Sequence, residues 1–476
     1  MSSQKNQKLK LGALTALVVG SMIGGGIFSL PQNMAASGGV GATLIAWLIT
    51  AVGMLMLAFV FQTLANRKPD LDGGVYAYAK AGFGNYMGFS SAWGYWISAW
   101  IGNVGYFVLL FSTLGLFMPV FGEGNTLASI VGASILLWSV HALVLRGIRE
   151  AAFINMITTV AKIVPLVLFI LICLFAFKLN IFTSDVWGQG NPDLGSVMKQ
   201  VRGAMLVTVW VFVGIEGASV FSARAAVRSD VGKATVIGFV TVLLLLVMVN
   251  VLSMGIMAQP ELAKLKNPSM AGVLQHVAGP WGAVLIGVGL VISLLGALLS
   301  WVLLCAEILF SAAKDHTMPA FLRRENANQV PANALWLTNV MVQIFLIITL
   351  FSASTYLSLI YLATSMILIP YFWSAAYALL LAARAETYEQ DTGERNKDLF
   401  IAAVAVVYAV WLLYAGGMKY LLLSALLYAP GAILFAKARK EVGQPVFTNV
   451  EKLVFAAVVI AAIVAAWGLY GGFLTL

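Results

Sequence analysis

Charge is scarce in this chain. Only 10% of its 476 residues are Asp, Glu, Lys or Arg, against ~25% in ordinary soluble proteins. Cysteine and histidine are nearly missing as well, with 2 and 3 copies. Cys173 and Cys305 each lie inside an apolar run, so they form neither a disulfide framework nor a metal site. His141, His276 and His316 are scattered, and no cofactor is implied. No Walker-type phosphate loop occurs, which speaks against ATP coupling. With so little polar surface, a soluble enzyme, a disordered chain and a coiled coil are excluded. The net charge of +9 does not indicate nucleic acid here, because basic residues in membrane proteins mostly set orientation.

What is present is apolar sequence, 61% of the chain, at a mean hydropathy of +0.94. The first apolar run, ending at Leu30, follows Lys5, Lys8 and Lys10 without a small-residue exit, so it reads as a span rather than a leader. Further runs at 40–65, 83–118, 126–145, 154–177, 200–221, 234–257, 280–312, 333–351, 355–383, 399–417, 419–436 and 453–474 make thirteen. Assigning alternate loops to one side collects 21 basic residues there and 6 on the other. That bias predicts a cytoplasmic N-terminus in an inner membrane. The fold expected is therefore an all-α polytopic membrane protein in contact with lipid.

Two spans are interrupted. The first holds Gly24, Gly25 and Gly26 in mid-run, each costing ~1 kcal/mol against alanine in a helix. Close packing through small residues is one explanation; a deliberate break that offers backbone groups to a ligand is the other. The sixth span reads Trp210-Val211-Phe212-Val213-Gly214-Ile215-Glu216-Gly217, two glycines around a carboxylate. An ionisable group at that depth is expensive and points to function. Spans 1 and 6 open two five-span halves, and glycine-broken segments in matching positions mark a transport site. Freed N–H groups suit a carboxylate and freed carbonyls an ammonium. A pair of such breaks fits the zwitterionic head of an α-amino acid.

The segments Gly20 to Pro31, Gly73-Gly74-Val75-Tyr76-Ala77-Tyr78, Trp100-Ile101-Gly102-Asn103 and Phe212 to Ala218 occur in order along the chain. In these it resembles the amino acid–polyamine–organocation superfamily, in its basic amino acid antiporter branch. The segments Ser90 to Trp96 and Arg323 to Asn328, with a thirteenth span, are similar to the arginine/ornithine-exchanging subgroup. The resemblance implies a leucine-transporter-like 5+5 inverted repeat with extra C-terminal helices: 1–178, 179–383 and 384–476. It implies sodium-independent, electroneutral exchange of external arginine for internal ornithine by alternating access. It also implies roles. Gly24, Gly25 and Gly26 would hold the substrate carboxylate; relatives that exchange arginine for agmatine have serine where Gly25 stands. Carbonyls near Ile23, Trp210 and Val213 would take the α-ammonium, and Asn103 the distal guanidinium. Trp301 would face the stem and the cation, Trp210 would close the site, and Glu216 would lie beneath it as a gate. Lys162 would bridge backbone carbonyls of spans 1 and 8 in place of sodium.

Each of these residues also has a plain reading. Trp301 could be an interfacial tryptophan, although it lies mid-span. Glu216 could be a strut fastened to backbone N–H groups. Lys162 could snorkel, and Asn103 could simply join two helices. Glu307, six residues past Trp301, could line an inward vestibule or neutralise a cation. The charged stretch from Arg384 to Asp398 reads as a solvated loop, and the aromatic run Trp93 to Tyr106 as packing apart from Trp100 and Asn103. A rival carrier would move another cationic amino acid or amine, such as lysine, histidine or agmatine, by exchange or coupled to protons through Glu216, Lys162 or Glu307. An intramembrane enzyme would need a nucleophile–base pair, and a sensor a long loop; neither pattern occurs. The chain is not expected to be an enzyme. Oligomeric state stays open, a homodimer included.

Overall fold

The computed structural model describes residues 10–71, 73–217, 225–227, 229–351, 355–388 and 391–474. Lys5, Lys8, Arg224 and Arg228 of the basic set and Ala218 of the fourth motif lie outside the described residues. The described chain is helical, with no strand. Its main helices are α1 (Leu11–Met22), α2 (Gly26–Ser37), α3 (Val40–Arg67), α4 (Val75–Phe83), α5 (Asn85–Gly115), α6 (Leu127–Arg146), α7 (Ile148–Ala176), α8 (Val197–Trp210), α9 (Ser229–Met254), α10 (Ser269–Ala278), α11 (Pro280–Lys314), α12 (Ala332–Ile348), α13 (Thr355–Ala383), α14 (Thr392–Tyr428), α15 (Gly431–Glu441) and α16 (Asn449–Tyr470).

Several starts follow from local chemistry. Thr126, Ser196, Asp391 and Thr448 precede α6, α8, α14 and α16, and each side chain accepts a first-turn N–H. Such caps satisfy donors that the helix itself leaves orphaned. Pro31, Pro165 and Pro370 lie inside α2, α7 and α13, as membrane helices tolerate when neighbours satisfy the freed groups.

Nine described helices are long and apolar enough to span, or ten if α1 and α2, bent by 44°, count as one. The thirteen expected runs are not reached by this measure, for local reasons. Helix α8 stops at Trp210, and α7 enters only through Ala161–Ala176. The stretch Thr392–Glu441 passes as a single helix although Gly417 breaks it at φ 77° and ψ 160°. Contacts show that the chain reverses there. Asp398 pairs with Arg67 and Tyr414 accepts from Arg202, so α14 first runs toward the Arg202 end. Ser424 then meets Ser365, Tyr428 meets Met366, and Glu441 reaches Ala320 on the return.

The loops sort to two ends. Arg67–Asp398, Lys80–Asp315, Glu441 with the Ala320 N–H, and Asn326 with the Leu145 carbonyl gather at one end. Gly41 with Val186, Lys178 with Gly255, and Lys266 with Glu123 gather at the other. Helix α5 is the interior of the bundle: 89% of its most apolar window is buried, against 17% for α16 at the edge. A helix apolar all round belongs inside, and α5 presents such a surface.

Candidate functional site

The two predicted breaks are both present, and they touch. Helix α1 ends at Met22, Ile23 to Gly25 are non-helical, and α2 resumes at Gly26. Helix α8 ends at Trp210 and turns loosely through Glu216. Ser21 Oγ donates to the Gly214 carbonyl at 2.9 Å, tying one break to the other. Gly214 holds φ +110°, and a Cβ there would stand 2.9 Å from the Ser21 carbonyl carbon. Only glycine satisfies both conditions.

The glycines of α1's break are enclosed. A Cβ on Gly24 would meet the Tyr106 hydroxyl at 2.3 Å, and one on Gly25 would meet Leu109 at 2.5 Å. On Gly26 it would press on Val211 and Trp210 at 3.0 and 3.1 Å. The start of α2 leaves first-turn N–H groups without an intrahelical acceptor. The Trp210 carbonyl accepts from the Val213 N–H at 3.1 Å. The Trp210 ring lies 6.2 Å from Tyr106, with Gly102 against its far edge. Trp210 therefore roofs the break from α8 while α5 forms the wall.

Lys162, fully buried on α7, donates to the Gly20 and Ile23 carbonyls, both at 2.6 Å. The resemblance implies a bridge between spans 1 and 8; here both acceptors lie on span 1, Gly20 in the last turn of α1 and Ile23 in the break. Span 8 contributes separately, through Ser293 Oγ to the Gly24 carbonyl at 3.5 Å. One lone pair of Ile23 is thus already engaged.

Glu216 is fully buried. Its Oε2 accepts from the Gly214 N–H at 3.2 Å and from the Tyr371 hydroxyl at 2.6 Å. It fastens the α8 break to α13. Oε1 makes no hydrogen bond of ordinary geometry among the described residues, nor does the Tyr95 hydroxyl, but the two groups are neighbours and interact with each other. Trp301, 4% exposed, stands 6.5 Å ring to ring from Tyr95, with its Nε1 unpartnered. Asn103 donates to Cys305 Sγ at 3.9 Å, and its Oδ1 is unpartnered. Ser29 Oγ and the Tyr356 hydroxyl, close to each other beside the α2 start, complete the set.

Unpartnered buried polar atoms are rare in folded proteins. Here Tyr95 and Asn103 on α5, Glu216 after α8 and Trp301 on α11 lie beside the two breaks; other such atoms, on Asn33, Asn250 and Asn339 among them, lie elsewhere in the bundle. Such a lining suits a small polar solute with donors and acceptors along its length. Glu307 is only half-buried on α11, two residues past Cys305, and is not part of this enclosed set. Among the described residues no group of three or more His, Cys, Asp and Glu side chains could hold a metal ion.

Sequence reading missed Tyr95, Tyr106, Tyr356 and Tyr371. The aromatic run that holds Tyr95 and Tyr106 reads locally as packing, and nothing local marks the other two. The stretch Arg384 to Asp398 is not simply solvated. Asp398 is buried, accepting from Arg67 at 3.1 Å, Tyr388 at 2.8 Å and Thr63 at 3.2 Å.

A family model described as amino acid permease matches residues 9–416. An arginine/ornithine antiporter of Pseudomonas aeruginosa is 78% identical, with 100% of each chain covered. An L-lysine transport protein of Corynebacterium glutamicum is 46% identical over 99% of this chain and 97% of its own. An arginine/agmatine antiporter of Chlamydia abortus is 44% identical over 92% and 91%. Full-length matches at this level, together with two broken helices meeting at a polar interior, mean that the chain belongs to the amino acid permease family.

Proposed function

We propose that this protein exchanges external arginine for internal ornithine. The observation that carries the reading is the junction of the α1 and α8 breaks, where Ser21 meets Gly214 and unpartnered polar groups surround it. The 78% identical relative supplies the substrate pair. The exchanger is not an enzyme, and it sits in the inner membrane with its N-terminus cytoplasmic, as the basic loops favour.

In this reading the carboxylate lies on the N–H groups of Gly25 and Gly26, at the positive end of α2, beside Gly24, whose own N–H already donates to the Met22 carbonyl at 2.9 Å. The α-ammonium takes carbonyls of Ile23, Trp210 and Val213. The stem and cation lie on Trp301, and Asn103 accepts at the distal end. Trp210 closes the site on one side and Glu216 braces it from beneath. Lys162 occupies the place of a coupling cation, so sodium is not needed. Glu307 draws cations toward the inward path. The repeats 1–178 and 179–383 rock against each other, and 384–476 buttresses them. Both substrates carry the same charge, so one-for-one exchange moves none.

Purified protein in liposomes tests this. Labelled arginine should enter quickly only when ornithine is inside, without sodium or ATP and regardless of membrane potential. Equal uptake into empty vesicles, rising with an inward proton gradient, would replace exchange with proton-driven import.

A further inference from the structure

Asn103 and Cys305 are joined in the wall of the site. Asn103 Nδ2 lies 3.9 Å from Cys305 Sγ, and both residues are fully buried. The contact uses the donor side of the amide. Oδ1 is left buried and unpartnered among the described residues. Cys305 follows Trp301 by four residues on α11, so the two share a helix face. Tyr95, beside Trp301, is within electrostatic reach of both Cys305 and Glu216. The thiol is therefore in the lining of the unpartnered polar group, not in the lipid face.

A primary amide can present either an acceptor or two donors, depending on its last torsion. A guanidinium or an ammonium offers donors alone. Citrulline has the shape of arginine, but an oxygen replaces one terminal nitrogen. A rotated asparagine could donate to that oxygen. We propose that Cys305 sets the selectivity of the site for cationic over neutral side chains, by holding the Asn103 amide with its oxygen outward. Sulfur is a weak acceptor, but in an apolar interior it is the partner this amide has, and orientation needs only a preference. This inference rests on the reading of the site as one for cationic amino acids.

The test is binding, not transport. Citrulline and arginine compete against labelled arginine on purified carrier. Cys305→Ala and Cys305→Val should narrow the arginine preference by ~10-fold, mainly through better citrulline binding, since specificity from fixed polar groups is lost when they can adapt. Cys305→Ser, which keeps an acceptor, should retain the preference. An unchanged ratio in both Ala and Val variants overturns the proposal. The same assay separates this role from the reading of the site. A wild-type carrier that binds neither arginine nor ornithine overturns the substrate pair. One that binds both, with an arginine-to-citrulline ratio unchanged in the Ala and Val variants, overturns the role of Cys305 alone.

Discussion

Ser21 and Gly214 close on each other from two broken helices that are 193 residues apart in sequence. The hydroxyl donates to the carbonyl at 2.9 Å, and the glycine's φ of +110° aims that carbonyl. This contact fixes how the half-helix ends of α1 and α8 face the interior. A backbone site is only as accurate as the junction that holds it.

Gly214→Ala should therefore damage exchange. Its Cβ would stand 2.9 Å from the Ser21 carbonyl carbon, and its φ would be strained. Strain of ~1–3 kcal/mol per such residue corresponds to a loss of roughly 5- to 150-fold if it falls on the binding state. Arginine binding to purified protein, beside a thermal melt, checks this. Wild-type affinity in the variant would show that the junction does not shape the site.

Trp301→Ala should weaken arginine binding by ~2- to 30-fold, the equivalent of about 0.5–2 kcal/mol for a cation over an indole. Trp301→Phe should fall between, because a phenyl face is a poorer partner. The ring is 4% exposed, so its loss also leaves a cavity. Expression and melting temperature must accompany the affinity. An alanine variant that folds and binds as the wild type would remove Trp301 from the pocket.

The breaks were legible because glycine and glutamate in mid-span violate the local rules for a membrane helix. Gly24 to Gly26 and Gly214 to Gly217 needed no partner to be noticed. Lys162 stood out likewise, as a lone cation in an apolar run. The partners were not legible. Fifteen tyrosines occur in the chain, and nothing near Tyr371 says that it reaches Glu216 across 155 residues. Packing chose Tyr106 to cover Gly24 and Tyr95 to stand by Glu216. The charged stretch from Arg384 into the first turns of α14 misled for a related reason. Its composition is that of solvated sequence, but Arg67 on α3 pulls Asp398 into a buried pair. Charge density predicts solvent exposure only where no opposite charge waits on another helix.

That buried cluster has a pH signature. Tyr388 donates to Asp398 at 2.8 Å, and the Arg67 guanidinium lies 3.6 Å over its ring. Burial first, then the bond and charge of Asp398, push the Tyr388 hydroxyl well above its ordinary range. A raised value means that the folded state holds the proton more tightly. The stabilisation is whole below the unfolded value near ~10 and is lost as pH rises toward the folded one. Tyr388→Phe should melt lower at pH 7, by an amount reflecting ~1.5–3 kcal/mol for a hydrogen bond to a charged group. The gap to the wild type should shrink above pH ~10. A gap that stays constant through alkaline pH would exclude the hydroxyl as its source.

Glu451 assigns the outermost helix a structural task. Its Oε1 accepts from the Tyr86 N–H at 2.8 Å, and its Oε2 from the Thr448 N–H at 2.8 Å. One carboxylate thus caps both α16 and the start of α5, the helix that carries Tyr95, Asn103 and Tyr106. Around it Tyr86, Phe435, Phe447 and Phe455 pack ring on ring at 4.9 to 6.1 Å. A carboxylate at a helix N-terminus gains from both the orphan donors and the dipole. Glu451→Ala strands a buried N–H on α5 and should lower stability by ~1–3 kcal/mol, read as a drop in melting temperature in detergent. Arginine affinity should hold, because the junction of α1 and α8 and the Trp301 face lie outside this cap. A variant with normal melting but weakened arginine binding would mean that α16 acts on the site through α5 instead of supporting it from the edge.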